Sequence, residues 1–166
     1  MIVCICVISF DRKGLNKWKL KYAKKTKDKT LSDALKNTDV FLGLSSAGIL
    51  KKEMIRQMAK NPIIFACANP DPEILPEEAY KIRKDAVIAT GRSDYANQVN
   101  NLIGFPYIFR GALDVRAKII NEEMKISAAN AIAKLARERV PDEVAAAMGG
   151  DRPKYGKDYI IPSTFD

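Results

Sequence analysis

The sequence predicts an α/β fold built around a parallel sheet. Short apolar runs alternate with segments of helical periodicity along most of the 166 residues. Parallel neighbouring strands need a crossover connection, usually a helix, so this alternation is typical of βαβ units. A chain of this length can bury roughly 70% of its unfolded surface, which is enough for a genuine core. Its 47% hydrophobic and 29% charged residues lie near the averages of folded proteins and argue against disorder.

Three strands and two helices are predicted in the first part of the chain. Ile2 to Ser9, Val40 to Leu44 and Ile63 to Ala68 are apolar runs of strand length. The helices between them cover Thr30 to Ala34, which opens with a capping-box pattern, and Lys51 to Lys60, where apolar residues recur at helical spacing. We expect the first strand to be an uncovered edge of the sheet, open to pairing with another chain.

The second part of the chain continues the alternation and ends in helices. A helix over Glu77 to Lys84 is followed by a strand over Ala86 to Ala89, and a long helix is predicted over Ile119 to Arg139. One face of that long helix is apolar, and we expect it to be core: Ile120, Met124, Ala128, Ala131, Ile132 and Leu135.

The formal net charge of +8 comes from one segment. Arg12 to Lys29 holds nine basic residues and one acid, Asp28, whereas the chain beyond it is balanced. Only Trp18 and Tyr22 in this segment offer a base a stacking surface. We therefore interpret it as a solvated surface, or one that meets another segment of a longer polypeptide, rather than as a nucleic-acid site.

Three cysteines, Cys4, Cys6 and Cys67, lie in apolar runs, and the sequence has no histidine. An odd number of cysteines in such settings indicates buried reduced thiols in a cytoplasmic protein and argues against a zinc site. The opening nine-residue apolar run is too short for a membrane span and lacks the layout of a signal peptide. We therefore expect no membrane partner.

The segments that follow the predicted strands are polar and turn-forming. Ligands of parallel sheets bind outside the carboxyl ends of the strands, so these segments are the candidate site: Asp11 to Gly14, Ser45 to Gly48, Asn69 to Pro72 and Gly91 to Asp94. The last one opens a loop rich in amides and charges, with Arg92, Ser93, Asp94, Asn97, Gln98, Asn100 and Asn101. Side-chain amides donate and accept hydrogen bonds without net charge, which indicates a small, oxygen-rich ligand.

Asp11 fits the acid that ends the second strand of a dinucleotide-binding fold and accepts hydrogen bonds from the adenosine ribose. Its neighbours Arg12 and Lys13 are able instead to neutralise a 2′-phosphate, so the choice between NAD and NADP stays open. The same turn also occurs as plain turn chemistry. The glycine-rich turn that binds pyrophosphate has no match in the chain, so we expect half of a nucleotide-binding unit here.

From Asp11 to Asp166 the chain resembles the bacterial-type malic enzymes. The resemblance runs through DRKG, TLSDAL, DVFLGLSSAGIL, IIFACANPDPEILP, ATGRSDYANQVNN, FPYIFRGALDVRAKIINEEMK and DYIIPSTFD. It implies a Rossmann-like parallel sheet with flanking helices that lacks its first βα unit. Residues 1–166 then form a partial NAD(P)-binding domain, truncated at both ends, with a basic segment at 12–29 and a C-terminal helical region at 118–166.

The resemblance also implies an activity, the oxidative decarboxylation of malate to pyruvate and CO₂ with NAD or NADP and Mg²⁺ or Mn²⁺. The lysine base, the tyrosine acid and the acidic metal ligands of the family lie upstream of the matched region, so none is placed on this chain. We expect the chain to orient cofactor and substrate and to be inactive alone. Its expected partners are malate or pyruvate and either a second copy or the missing part of the enzyme. The alternative is a non-catalytic nucleotide-binding or subunit-docking fragment.

Site residues follow from the matched motifs. Asn69 and Asn100 resemble the two asparagines that contact malate and the nicotinamide end of the cofactor, with Asn101 as the substrate contact if the register is shifted by one. Ser45 and Ser46 resemble the cofactor-side loop. The alternatives are a turn role for Asn69 and for the serines and a capping role for Asn100.

Two ion pairs are expected near the amide-rich loop; for the first a bracing role is preferred to catalysis, and to the second no chemistry is assigned. Arg92 and Asp94 are predicted to pair and brace the loop. Arg110 and Asp114 lie four residues apart on a predicted helix, a spacing that allows a surface pair.

Overall fold

A computed structural model describes residues 2–3 and 6–165 of the chain. The chain divides into two compact units, Met1–Thr90 and Gly91–Asp166, called here the N-terminal and C-terminal units. None of the helices in the described residues is long and apolar enough to cross a membrane.

The N-terminal unit begins with two short strands, β1 (Ile2–Val3) and β2 (Cys6–Val7), that pair antiparallel. The prediction of one continuous strand from Ile2 to Ser9 at an edge of the parallel sheet is therefore wrong. The reason is that the backbone of this segment forms hydrogen bonds with residues outside the parallel sheet. The N–H of Val7 donates to the carbonyl of Lys29 at 3.1 Å, and Ser9 forms a bridge with Lys24.

Of the three cysteines predicted to be buried reduced thiols, Cys67 has its side chain among the described residues. Cys67 is a free thiol and is half-buried. Cys4 and the side chain of Cys6 lie outside the described residues.

A three-stranded parallel sheet lies at the centre of the N-terminal unit, as the alternating pattern predicts. Its strands are β3 (Val40–Gly43), β4 (Ile63–Ala66) and β5 (Val87–Thr90), in the order β3-β4-β5. The register pairs Gly43 with Ala66 and Ala66 with Thr90. All three strands therefore end at the same edge, called here the carboxyl edge.

The described part of the N-terminal unit contains four helices: α1 (Lys17–Leu20), α2 (Leu31–Ala34), α3 (Lys52–Arg56) and α4 (Pro76–Ile82). The predicted capping box is confirmed, because Thr30 and Asp33 exchange side-chain and backbone hydrogen bonds at the start of α2. Helix α3 is shorter than predicted. The Arg83 guanidinium donates hydrogen bonds to the carbonyls of Ile55, Met58 and Ala59, and these bonds end the helix.

The core of the N-terminal unit covers one face of the sheet. It contains Leu31, Leu35, Phe41, Leu50, Ile55, Met58, Ile64, Ala66, Ile74, Ala79, Ala86 and Ile88. The opposite face is open at β3. Val40 and Leu42 in the strand and Leu44 directly after it are 51%, 59% and 73% exposed. This face of the edge strand is aliphatic and open within the N-terminal unit.

The basic segment is mostly irregular. Only the four residues of α1 are helical, and Asn16 caps them by accepting the N–H of Lys19 at 2.9 Å. The ammonium groups of Lys17 and Lys21 lie 5.1 and 4.9 Å from the centroid of the exposed Trp18 ring. The indole ring therefore makes cation–π contacts with two lysines of the same segment, which agrees with the interpretation of a solvated surface.

Within residues 91–165, the C-terminal unit contains a 3₁₀ turn (Asn101–Ile103) and three helices, α5 (Phe105–Asp114), α6 (Glu122–Leu135) and α7 (Asp142–Ala147). Its small core joins Val140, Ala145 and Tyr159.

The apolar face of α6 is not core, contrary to the prediction. No residue of α6 is buried, and five of the six stripe residues line an open groove of about 790 Å³ that the helix shares with α5: Met124, Ala128, Ala131, Ile132 and Leu135. Helical periodicity identifies which face is apolar but does not determine whether a neighbouring element fills the space against it.

Candidate functional site

The loops that follow β3 and β4 meet at the carboxyl edge and are joined by main-chain hydrogen bonds. The ladder extends past the strands, because the N–H of Cys67 donates to the carbonyl of Gly43 at 3.1 Å. Gly48 then donates to the carbonyl of Pro72, and Leu50 to that of Glu73, each at 3.1 Å. These bonds bring the Ser45 and Asn69 loops, predicted separately from the sequence, together on one edge of the sheet.

A carboxylate lies beneath both loops. Glu73 is 0% exposed, its Oε1 accepts the N–H of Ser45 and its Oε2 that of Ala68, each at 3.0 Å. Burying a carboxylate is costly unless its oxygens are hydrogen-bonded, and here both are. Glu73 therefore ties the end of β3 to the end of β4 through its side chain, an arrangement called here the Glu73 clamp.

Gly43 provides the space for the clamp. A Cβ atom at position 43 would lie 2.4 Å from the Glu73 Cδ and 2.5 Å from its Oε1, closer than any real contact. Nothing in the sequence patterns singled out either residue. The available signal was an acid placed between Pro72 and the buried Ile74, where an apolar side chain is the usual occupant.

The predicted contact residues of these loops are open to solvent. Ser45, Ser46 and Asn69 are exposed, and Asn69 precedes a cis peptide bond to Pro70. Exposed hydroxyls and an amide at the end of parallel strands are the groups that suit ribose hydroxyls, a carboxamide or a carboxylate.

Asp11 and Arg12 follow the buried Ile8 and Ser9. Asp11 is exposed, and Arg12 is half-buried with its N–H donating to the carbonyl of Ser9 at 3.1 Å. The segment therefore forms a turn at its start, with the acid pointing to solvent.

In the C-terminal unit, Asn100 caps the 3₁₀ turn. Its Oδ1 accepts the N–H of Leu102 at 2.9 Å, which is the capping role considered as the alternative. Only the oxygen is used in this bond, so the Nδ2 group keeps two donors for a carboxylate or a carbonyl. Asn101, the neighbouring candidate, begins the turn and is exposed.

Another amide of the same loop serves the fold. Asn97 is 4% exposed and adopts a left-handed backbone conformation with φ 54°. Its Nδ2 donates to the carbonyl of Lys157 at 2.7 Å, and its Oδ1 accepts the N–H of Ile160 at 2.8 Å. The expectation that the amides of this loop suit a ligand better than the fold therefore does not hold for Asn97, which joins the loop to the 157–160 segment.

The two predicted ion pairs are confirmed. Arg92 holds Asp94 in a bidentate contact with distances of 2.9 and 2.6 Å, and these hydrogen bonds lower the pKa of the Asp94 carboxyl. Arg110 and Asp114 form the surface pair at 2.9 Å. A paired arginine and aspartate mainly order the local structure, which agrees with a bracing role for Arg92.

The described residues favour neither a thiolate at Cys67 nor a metal site with three ligands from this chain. Burial, and secondarily the charge of Glu73, raises the pKa of the Cys67 thiol, which opposes formation of a nucleophilic thiolate. Among residues 2–3 and 6–165, no three Cys, Asp or Glu side chains come together as metal ligands. This part of the chain does not fit a divalent metal by itself.

Known proteins are similar to this chain in sequence and in fold. The chain is 62% identical over 153 residues to the NADP-dependent malic enzyme of Rhizobium meliloti, a match that covers 92% of the chain and 20% of that enzyme. It is 54% identical over 160 residues to the NADP-dependent malic enzyme of Halomonas elongata, covering 96% of the chain and 38% of the relative. The chain thus spans about a fifth to two fifths of the length of these relatives.

A solved structure confirms the Rossmann-like α/β prediction. The crystal structure of the NAD-dependent malic enzyme of Thermotoga maritima superposes with a TM-score of 0.76 at 37% identity, over 96% of this chain and 39% of that one. The family model described as the malic enzyme NAD-binding domain matches residues 5–146. The chain therefore belongs to the malic enzyme family and forms part of its NAD-binding domain.

Proposed function

We propose that this chain supplies part of the cofactor- and substrate-binding surface of an enzyme that oxidatively decarboxylates malate to pyruvate and CO₂ with NAD or NADP. The observation that carries the proposal is the meeting of the Ser45–Ser46 loop and the Asn69 loop at the carboxyl edge, in a chain of this family. Parallel α/β sheets bind their ligands at this edge.

Each polar residue has a proposed role that its chemistry supports. Asn69 and Asn100 are proposed to contact malate and the nicotinamide end of the cofactor, with Asn101 as the neighbouring substrate contact. Ser45 and Ser46 are proposed to contact the cofactor. The capping bond of Asn100 supports its role, because a fixed Oδ1 also fixes the direction in which the Nδ2 donors point.

Asp11 and Arg12 are proposed as contacts of the adenosine end of the cofactor. The exposed Asp11 suits the ribose hydroxyls of NAD, whereas the guanidinium of Arg12 suits the 2′-phosphate of NADP. The relatives named above include both NADP- and NAD-dependent enzymes.

The contribution of this chain to the reaction is orientation. When bound, the nicotinamide would supply the hydride acceptor and the divalent metal would supply Lewis-acid chemistry for the decarboxylation. Amides that hold the malate carboxylate and hydroxyl fix the donor carbon against the nicotinamide. We place the metal ligands and the groups that remove and return protons outside this chain.

Titration calorimetry with NADH and with NADPH tests the binding proposal directly. We expect the wild-type chain to bind at least one of them, and Asn69→Ala to weaken binding about tenfold by removing one hydrogen bond to the ligand. Asn130→Ala, which removes an exposed asparagine from α6, is the matched control and leaves the affinity unchanged. A wild-type chain that binds neither nucleotide contradicts the proposal.

Absorbance of the reduced nicotinamide tests whether the acid, the base and the metal ligands lie outside this chain. With malate, Mn²⁺ and either cofactor, we expect the purified chain to produce no reduced nucleotide. Measurable turnover would contradict the placement of the acid, the base and the metal ligands elsewhere.

A second candidate function is that of a non-catalytic fragment that docks on a subunit of the same family. The open aliphatic face of Val40, Leu42 and Leu44 on the edge strand favours it, because contiguous exposed apolar side chains mark surfaces that contact other chains. Co-purification with an intact malic enzyme from the same cells distinguishes this role from an independent nucleotide-binding one.

We propose a homo-oligomer, or association with the remainder of the enzyme, as the assembled state, and a cytoplasmic location. The free thiol of Cys67 supports the location, since reducing compartments keep thiols unpaired.

A further inference from the structure

We propose that Glu73 is a positioning residue for the dinucleotide cofactor, because it holds the loop after β3 and the loop after β4 at a fixed separation. The inference rests on the proposed function, since it takes Ser45, Ser46 and Asn69 as contacts of the bound cofactor and substrate. Glu73 itself is fully buried, so it acts on the ligand only through these loops.

The clamp couples a buried charge to the geometry of two loops. In the described residues, the Glu73 oxygens are matched by the N–H groups of Ser45 and Ala68 and by no lysine or arginine. If either loop moves away, a carboxylate oxygen is left buried without a donor, and that state is strongly disfavoured. The charge therefore makes the separation of the two loops stiffer than a neutral packed side chain would.

The residues bonded to Glu73 lie next to the proposed ligand contacts in the sequence. The N–H of Ser45 is bonded and the exposed Ser46 follows it; the N–H of Ala68 is bonded and the exposed Asn69 follows it. Each proposed contact thus lies at most one residue from a clamped amide. A displacement of a clamped N–H therefore moves the backbone at, or next to, the residue that carries each proposed contact.

Gly43 provides independent support. The sheet edge has space for the Glu73 carboxyl only because position 43 carries no side chain, since a Cβ there would lie 2.4, 2.5 and 2.8 Å from the three atoms of the carboxyl group. Gly43 and Glu73, thirty positions apart in the sequence, are therefore sterically matched: the glycine leaves the space that the carboxyl group fills.

Two variants perturb the clamp and one matched variant does not. Glu73→Gln keeps the size of the side chain but turns an NH₂ group toward one of the backbone donors. Gly43→Ala displaces the carboxyl group without changing it. Asp85→Asn is the control: it also removes a carboxylate that accepts a backbone N–H, from Asn61 at 2.8 Å, but at the amino ends of the strands.

Nucleotide titration of the folded variants decides the functional claim. We expect Glu73→Gln and Gly43→Ala to bind NADH or NADPH about tenfold more weakly than the wild type, and Asp85→Asn to bind as the wild type does. Circular dichroism confirms that each variant is folded before titration. A folded Glu73→Gln chain with wild-type affinity overturns the proposal.

Amide hydrogen exchange on the wild-type chain tests the clamp even if both variants fail to fold. We expect the N–H groups of Ser45 and Ala68 to exchange more slowly than those of Ser46 and Ala47, and nucleotide to slow them further. Equal rates at the four positions overturn the clamp. Slow exchange without binding of either nucleotide refutes the proposed function, and with it the cofactor role of Glu73, while the structural clamp stands.

Discussion

The bridge made by Asn97 yields a quantitative prediction for the C-terminal unit. Asn97→Ala removes two hydrogen bonds, of 2.7 and 2.8 Å, and leaves the Lys157 carbonyl and the Ile160 N–H without this partner. At about 1 kcal/mol for each bond, the lost bonds cost about 2 kcal/mol. Alanine at φ 54° adds about 1 kcal/mol, because asparagine tolerates the left-handed region better. We expect a total loss of about 3 kcal/mol in the free energy of unfolding.

Two further substitutions separate these contributions. Asn97→Gly removes the hydrogen bonds but suits the left-handed backbone, so we expect it to lose about 2 kcal/mol, less than alanine. Gln98→Ala, at the adjacent half-buried amide, is the matched control and is expected to change stability by less than about 0.5 kcal/mol.

Urea denaturation followed by circular dichroism measures the loss, and hydrogen exchange of peptides from residues 91–166 assigns it to the C-terminal unit. The reasoning is refuted if Asn97→Ala unfolds within about 0.5 kcal/mol of the wild type, or if glycine destabilises the unit more than alanine does.

Two predictions concern the N-terminal unit. Thr30→Ala removes the side-chain acceptor of the Asp33 N–H and is expected to cost about 1 kcal/mol in urea denaturation, and an unchanged midpoint would contradict the capping role. Hydrogen bonds from Arg83, and then from the N–H of Asn61, hold the pKa of Asp85 far below its usual value. This stabilisation is present above the ordinary aspartate pKa and is lost as the pH falls toward the lowered one. Asp85→Asn should therefore flatten the acid limb of a stability-against-pH curve, and an equally steep limb would contradict the assignment.

Local patterns in the sequence predict the elements of the sheet well. The strands β3, β4 and β5 are short apolar runs set off by turn residues, and the start of α2 is specified by Thr30 and Asp33, three residues apart. These signals are complete within a few residues, so no distant partner is needed to interpret them.

Features that depend on distant partners are not predictable in this way. The attachment of the first segment to Lys24 and Lys29 involves a basic stretch without apolar periodicity. The stripe on α6 has the periodicity of a core helix, yet it lines an open groove because no described element fills the space. The clamp was missed because the Glu73 carboxylate accepts hydrogen bonds from backbone groups five and twenty-eight residues away, a pairing that no local sequence pattern marks.

The amides of the 91–101 loop show why composition overestimates a binding site. Asn97 and Asn100 are the same residue type three positions apart, but Asn97 uses both its oxygen and its nitrogen within the fold, whereas Asn100 uses its oxygen alone. A side-chain amide that donates and accepts internally has little capacity left for a ligand, and one that only accepts keeps both donors. Hydrogen-bond use therefore ranks Asn100 above Asn97 as a ligand contact. The two asparagines also act together: the hydrogen bonds of Asn97 anchor the loop, and the turn that follows in the same loop orients the Asn100 amide.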